Sequence, residues 1–327
     1  MKFTRRLISL LSAVLMLFSV ACTKSGGNRF AADDVSSKVS SENEQSVLPV
    51  LWRATDKEGS EIYFFGTIHI GDKRNKEIIN RLHPVLRKCD ALAVEFDVVA
   101  YSGNFGAQKR DLVKFVYKDG STVRDHISDG LYEKMADFLK ETKLYSKIYD
   151  NYKLGMWYQL VSQAVIKKTG LSADKAMDSL LIKDANSIDL RILEVEDPEF
   201  QSDLLANTPD DYYELALGSD LERIDDGIAE IRELYAAWLK GDEEEMSGIL
   251  SNSDYGSEFS ENQRRVIEDF DRRLLTERNA GMAEKAKEYV KSGMTVFFAV
   301  GIAHFLGSDG IVSLLENEGY TFTKVQY

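Results

Sequence analysis

Two apolar runs 235 residues apart end in the same way. Phe64-Phe65-Gly66-Thr67-Ile68-His69 and Ala299-Val300-Gly301-Ile302-Ala303-His304 each lead a strand-like stretch into a glycine and, three residues later, a histidine. Gly71 and Gly307 follow soon after. Ligands of an α/β sheet gather in the crevice outside the carboxyl ends of its strands, and glycines there let the backbone approach closely. Strand patterns near both ends of the folded part, with helical patterns between them, describe one α/β domain. Its mixed central sheet is built from N- and C-terminal segments and carries a large helical insertion.

The remaining patterns fill in that plan. Pro49–Thr55 and Ile62–Ile70 flank the turn-like Asp56-Lys57-Glu58-Gly59-Ser60, which predicts a hairpin. Ile78, Ile79, Leu82, Val85 and Leu86 recur at helical spacing, with Pro84 inside the stretch. Ala91–Val94 is a short apolar run of the kind buried on both faces, closed by Glu95. Residues 105–290 are predominantly helical, interrupted by a β-rich run over Ile188–Val195 that Glu194 and Glu196 close. Gly241–Glu245 reads as a solvated helix start. Strands are expected over Thr295–Val300 and Tyr320–Val325, with a helix near Asp309–Asn317 between them.

The chain begins with an address. Lys2, Arg5 and Arg6 precede an apolar run, Leu7–Val20, too short for an ordinary transmembrane helix. Ser19-Val20-Ala21-Cys22 resembles a bacterial lipobox, so residues 1–21 are expected to be a signal peptide and Cys22 the lipidated N-terminus. The alternative is a plain signal peptide cut nearby. Residues 22–46 are polar and poor in aromatics, the composition of a flexible tether, and residues 47–327 form the domain. The expected location is the cell envelope, on a bacterial membrane and outside the cytoplasm. The second of the two cysteines, Cys89, is left without an internal disulfide partner and is read as core packing.

Composition narrows the chemistry. A net charge of −13 argues against a partner recognised through phosphates, so no nucleic acid is expected. Two cysteines and four histidines rule out a zinc site of paired C-x-x-C motifs and leave histidine and carboxylate as metal ligands. His69 and His304 with Glu95, Glu194 and Glu196 make a nitrogen-and-oxygen set for a divalent cation, with a spare carboxylate as general base. His83 and His126 have no such setting. Val266, Phe270, Leu274 and Met282 form one helical stripe with Arg278 in the missing place. A buried arginine must find a carboxylate. It either pairs structurally with Glu194 or Glu196 or binds a substrate carboxylate or oxyanion.

These residues carry a resemblance. Gly66-Thr67-Ile68-His69-Ile70-Gly71-Asp72, the strand ending in Glu95, Glu277-Arg278-Asn279, and Gly301-Ile302-Ala303-His304 with Gly307 and Gly310 resemble the TraB/GumN family, related to the Tiki proteases. Leu193-Glu194-Val195-Glu196 also looks like a family segment. Phe305-Leu306 departs from the pattern, in which leucine commonly follows the histidine directly. The resemblance runs from about Val47 to the C-terminus. It implies the fold of the erythromycin-esterase and ChaN-like proteins and a metal-dependent hydrolase, most simply a peptidase, using manganese, cobalt or zinc. By motif, His69, His304 and Glu95 would be ligands, with Glu95 and Arg278 catalytic and Gly66 and Gly301 shaping the site. A peptide or protein would be the substrate. The competing expectation is a lipoprotein that binds a peptide signal or metal-bearing ligand in the same cleft without catalysis.

Overall fold

Strand formation follows the apolar runs in the computed structural model, which describes residues 48–251 and 259–327. The expected signal peptide, Cys22, the tether and the start of the domain at Val47 lie outside the described residues. β1 (Leu51–Thr55) and β2 (Glu61–Thr67) form the expected antiparallel hairpin. Its turn is held by Asp56 Oδ1, which accepts from the Glu58 and Ser60 amides, with Gly59 at a φ of +89°. β3 (Ala91–Val94), β4 (Arg191–Glu194) and β5 (Val296–Gly301) run parallel to β2, while β6 (Thr321–Lys324) pairs antiparallel with β1. The six-stranded order is β4-β3-β5-β2-β1-β6. Central β3 and β5 are buried throughout, as their unbroken apolar sequence requires. Edge strands β4 and β6 carry the charges of Arg191, Glu194 and Lys324, which discourage pairing with another chain.

The helical insertion comes as two crossovers divided by β4. Leu154–Thr169 is apolar on nearly every side and lies deep in the helical layer, against Asp129–Glu141, Asp210–Glu222 and Ile224–Lys240. Trp238 Nε1 donates to the Gly66 carbonyl at 2.8 Å, tying this layer to the end of β2. Helix Arg74–Leu86 contains Pro84, as anticipated, and Cys89 is buried just beyond it.

Two elements differ from the sequence reading. β4 begins at Arg191 instead of Ile188, because helix Met177–Ser187 runs further and Asp189 turns the chain at a φ of +54°. The stripe through Arg278 does not lie on one regular helix. Glu261–Asp271 and Glu277–Lys291 are joined by a π-helical turn, Arg272–Thr276. Phe270, Leu274, Arg278 and Met282 are nonetheless all buried, whereas Ile267 takes the buried place expected of Val266.

Gly66 brings the two Gly-x-x-His corners together. A Cβ there would stand 2.2 Å from Ile302 Cδ1 and 3.1 Å from Ile302 Cα, so only glycine lets the turn Ile302–His304 pack on β2. Gly66→Ala is expected to lower stability by about 1–3 kcal/mol through overpacking. Urea unfolding measures this, and an unchanged midpoint would contradict the close approach.

Candidate functional site

The four parallel strands end at one edge in near-perfect register. Val94 stands opposite Ala299 and Glu194, and Thr67 opposite Gly301. The residues that follow each strand therefore meet: His69 after β2, Glu95 after β3, Glu196 after β4 and His304 after β5. Parallel strands force this convergence, because all their carboxyl ends open onto one crevice.

Glu95 is the hub. Its Oε1 accepts from the Gly301 amide at 2.8 Å and lies 3.9 Å from both His69 Nε2 and His304 Nε2. Its Oε2 accepts from Arg278 at 2.8 Å and Gln201 Nε2 at 3.0 Å. Burial works to raise its pKa, but Arg278, the two rings and the Gly301 amide outweigh it and bring it down to about 2.

Each histidine is oriented through Nδ1. His69 Nδ1 donates to Asp178 Oδ2 at 2.7 Å, and the other Asp178 oxygen accepts from Thr67 Oγ1 at 2.7 Å. His304 Nδ1 donates to Asn279 Oδ1 at 2.6 Å, while Asn279 Nδ2 is committed to the Asp309 carbonyl. With Nδ1 the donor, the Nε2 atom of a neutral ring is a lone pair. Burial, Arg278 and His69 hold His304 down to a pKa of about 3, so its ring is neutral. His69 differs: burial disfavours its charge, yet Asp178 and Glu95 prevail and raise its pKa to about 9. Its surroundings thus favour positive charge at that end of the site.

Arg278 settles the choice left open by its helical phase. Nε and NH2 engage both oxygens of Glu196 at 2.8 and 2.7 Å, NH2 also reaches Glu95, and NH1 donates to the Leu274 carbonyl at 3.1 Å. Only 4% exposed, it is an internal clamp between two carboxylates, which raise its pKa against the opposing effect of burial. Glu194 lies outside this network, exposed and accepting from the Asp97 amide. His83 pairs with Asp184, and His126 with Ser121 and Asp210, both apart from the network.

The donor set fits a divalent cation. Nε2 of His69 and Nε2 of His304 are both buried with no hydrogen-bond partner, facing one carboxylate oxygen. Asp178, Glu95 and Glu196 against Arg278 leave two formal negative charges when the His69 ring is neutral, so a dication would take over the balance that a proton on His69 otherwise supplies in part. Nδ1 partners of the kind seen on both rings are what metal-bound histidines use. Among the described residues no three His, Cys, Asp or Glu side chains stand as a preformed metal cluster. Glu95 Oε1 stands 3.9 Å from each Nε2, whereas ligands of a tetrahedral zinc site lie about 3.4 Å apart, so each histidine would have to draw in toward Glu95 by about half an ångström.

Asp178 and Gln201 are not singled out in the sequence, and Thr67 and Asn279 stand there only as members of the quoted motifs, without a role. Asp178 sits in the first turn of a helix, where an acidic residue is ordinarily explained by the helix dipole. Gln201 is buried beside an exposed Phe200, the reverse of an amphipathic pattern, so the polarity of the helix gives no sign of it.

The TraB/PrgY/gumN family model matches residues 50–324, from the start of the hairpin to the end of β6. No curated protein and no solved structure shows a significant match to the chain. The family match takes in the two histidine corners, Glu95 and the Arg278 clamp, and the chain belongs to the TraB/PrgY/gumN family.

Proposed function

We propose that this protein is a divalent-cation-dependent hydrolase acting on peptides, anchored to a bacterial membrane through lipid on Cys22 with its domain outside the cytoplasm. The observation that carries the reading is the pair of buried, partnerless Nε2 atoms facing Glu95 Oε1. His69 Nε2, His304 Nε2 and Glu95 Oε1 would hold the cation, a three-ligand set that leaves room for water or substrate. Bound there, the cation would polarise a scissile carbonyl and make water more acidic.

Each remaining residue has a part the geometry supports. Asp178 and Asn279 keep the Nδ1 protons in place, so that both Nε2 atoms face inward: that of the neutral His304 as a lone pair, that of His69 as one once it yields its proton to the cation. Arg278 and Gln201 occupy Glu95 Oε2, which directs the free side of Oε1 to the cation and leaves Glu95 better suited to binding than to accepting a proton. Glu196 anchors Arg278. His69 and Glu196, with side chains 14% and 12% exposed, mark the side from which substrate would approach.

Metal content and peptide cleavage, measured on the full chain before and after chelation, test the proposal. Metal that is retained while a broad peptide library stays uncut would leave the non-catalytic binder. Absence of metal from protein purified and reloaded with manganese, cobalt or zinc would end the hydrolase, and unchanged ligand binding in His69→Ala besides would end both. Asp178→Asn is expected to weaken metal binding about 10–100-fold, as loss of a ligand's orienting partner does elsewhere. Competition with a chromophoric chelator reads that change, and wild-type affinity would remove Asp178 from the assembly.

A further inference from the structure

Helix Arg74–Leu86 turns one stripe inward, Asn75, Ile78, Ile79, Leu82, Val85 and Leu86, and the first of these is polar. Packing alone would put an aliphatic side chain there. Asn75 is fully buried, and a buried amide is costly unless its hydrogen bonds are made. They are made to three particular places. Nδ2 donates to the Ile70 carbonyl at 3.3 Å and to the Lys175 carbonyl at 2.8 Å, while Oδ1 accepts from the Tyr235 hydroxyl at 2.7 Å.

The two carbonyls belong to the segments that carry His69 and Asp178. Ile70 follows His69 directly, and Lys175 stands three residues before Asp178. The same segments meet through Gly71 and Ser172, whose amides donate to each other's carbonyls at 3.0 and 2.9 Å, and through the Met177 amide, which donates to the Ile68 carbonyl at 3.1 Å. A Cβ on Gly71 would stand 2.0 Å from Asn75 Nδ2 and 2.7 Å from the Lys175 carbonyl oxygen, so the approach requires glycine. Asn75 thus joins the two segments whose relative placement sets the 2.7 Å bond from His69 Nδ1 to Asp178.

Tyr235 fixes which way the amide points. With two carbonyls requiring Nδ2, Oδ1 must face the hydroxyl, and burial pushes the Tyr235 pKa up to about 12, so the proton is there to donate. The hydroxyl oxygen in turn accepts from the Asp72 amide at 3.2 Å. Tyr235 lies on helix Ile224–Lys240, one turn before Trp238, which bonds the Gly66 carbonyl. One helix therefore grips the chain both before and after His69.

We propose that Asn75, oriented by Tyr235, is a positioning residue that holds the His69–Asp178 pair in place for the cation. Its functional meaning rests on the reading of His69 as a metal ligand. The geometry it controls belongs to the metal-free protein, so the two can fail separately. Asn75 meets no reacting atom and acts only through His69.

The test compares Tyr235→Phe, which keeps the amide, with Asn75→Leu, which keeps the Tyr235 contact with Asp72. In the metal-free full chain the readout is the proton on His69 Nδ1, recorded by nitrogen-edited NMR and assigned by its loss in His69→Ala. In both variants this resonance should move upfield as the bond to Asp178 lengthens, while the His304 Nδ1 proton, held by Asn279, stays in place. Zinc affinity, read against a chromophoric chelator, should fall roughly tenfold in Tyr235→Phe and further in Asn75→Leu, the range for groups that orient a ligand. Tyr132→Phe is the structural control: it removes another buried hydroxyl, bonded to Asp150 at 2.8 Å, and should lower the urea midpoint without moving the His69 proton or the affinity. If Asn75→Leu does not fold, Tyr235→Phe decides alone. A His69 proton unmoved in Tyr235→Phe, the His69 and His304 protons moving together there, or a His69 proton that moves equally in Tyr132→Phe overturns the proposal. So does wild-type zinc affinity in a variant whose His69 proton has moved. A selective shift at His69 in a chain that binds no zinc, manganese or cobalt even as wild type would end the metal reading and leave the positioning of the pair standing.

Discussion

His304→Ala is expected to abolish metal binding and peptide cleavage together, while His83→Ala changes neither. The physical reason is the isolation of the His304 ring. It is fully buried, its Nδ1 is taken by Asn279, and its neutral Nε2 has nothing within hydrogen-bonding reach. An imidazole lone pair left dry in this way costs stability unless something binds it. Removing a ligand outright should exceed the 10–100-fold loss expected of its orienting partners, so metal measured after dialysis should fall to background. A melt of the metal-free protein controls for folding, since the alanine also opens a cavity. His83 meets Asp184 at 2.9 Å and lies outside the cluster, so its variant reports the effect of losing any histidine. Metal content unchanged in folded His304→Ala would defeat the assignment.

The second large effect is on stability. Arg278→Met should destabilise the metal-free protein by about 3–5 kcal/mol, because it strands the buried Glu95 and the partly buried Glu196 without their cation. Arg278→Lys should not rescue it: an ammonium cannot reproduce the planar fork that holds both oxygens of Glu196 while reaching Glu95 and the Leu274 carbonyl. Adding Glu196→Gln to Arg278→Met should recover part of the loss by removing one stranded charge. Urea unfolding under chelation gives all three values. A loss under about 1 kcal/mol for Arg278→Met would mean that the clamp is not structural and would return Arg278 to substrate binding.

Period and punctuation made much of this legible in advance. The hairpin, the buried β3 and β5, and the pairing of the two histidine corners follow from short apolar runs closed by glycine and a polar residue, a local signal. Arg278 was found because helical phase put a charge where an apolar side chain belonged. The π-helical turn was invisible, since it changes how the residues of one stripe are spaced around the axis without changing their composition. The start of β4 was misplaced because Ile188 is apolar in either setting, and the turn at Asp189 decides against the strand.

What remained hidden is the set of side chains that orient the site. Asp178 lies 109 residues from His69, and Gln201 lies 106 from Glu95. Nothing in local periodicity links such pairs. The sequence alone determined which strand ends pair as like corners, because each Gly-x-x-His corner is written within six residues. Only the tertiary structure decided that Glu196 rather than Glu194 enters the network, that Arg278 is consumed as a clamp, and that both Nε2 atoms face one carboxylate oxygen. The physical reason is that a strand's identity is a local property, whereas the partner of a buried polar group is whichever residue the parallel register of the sheet and the packing of its helices place within reach.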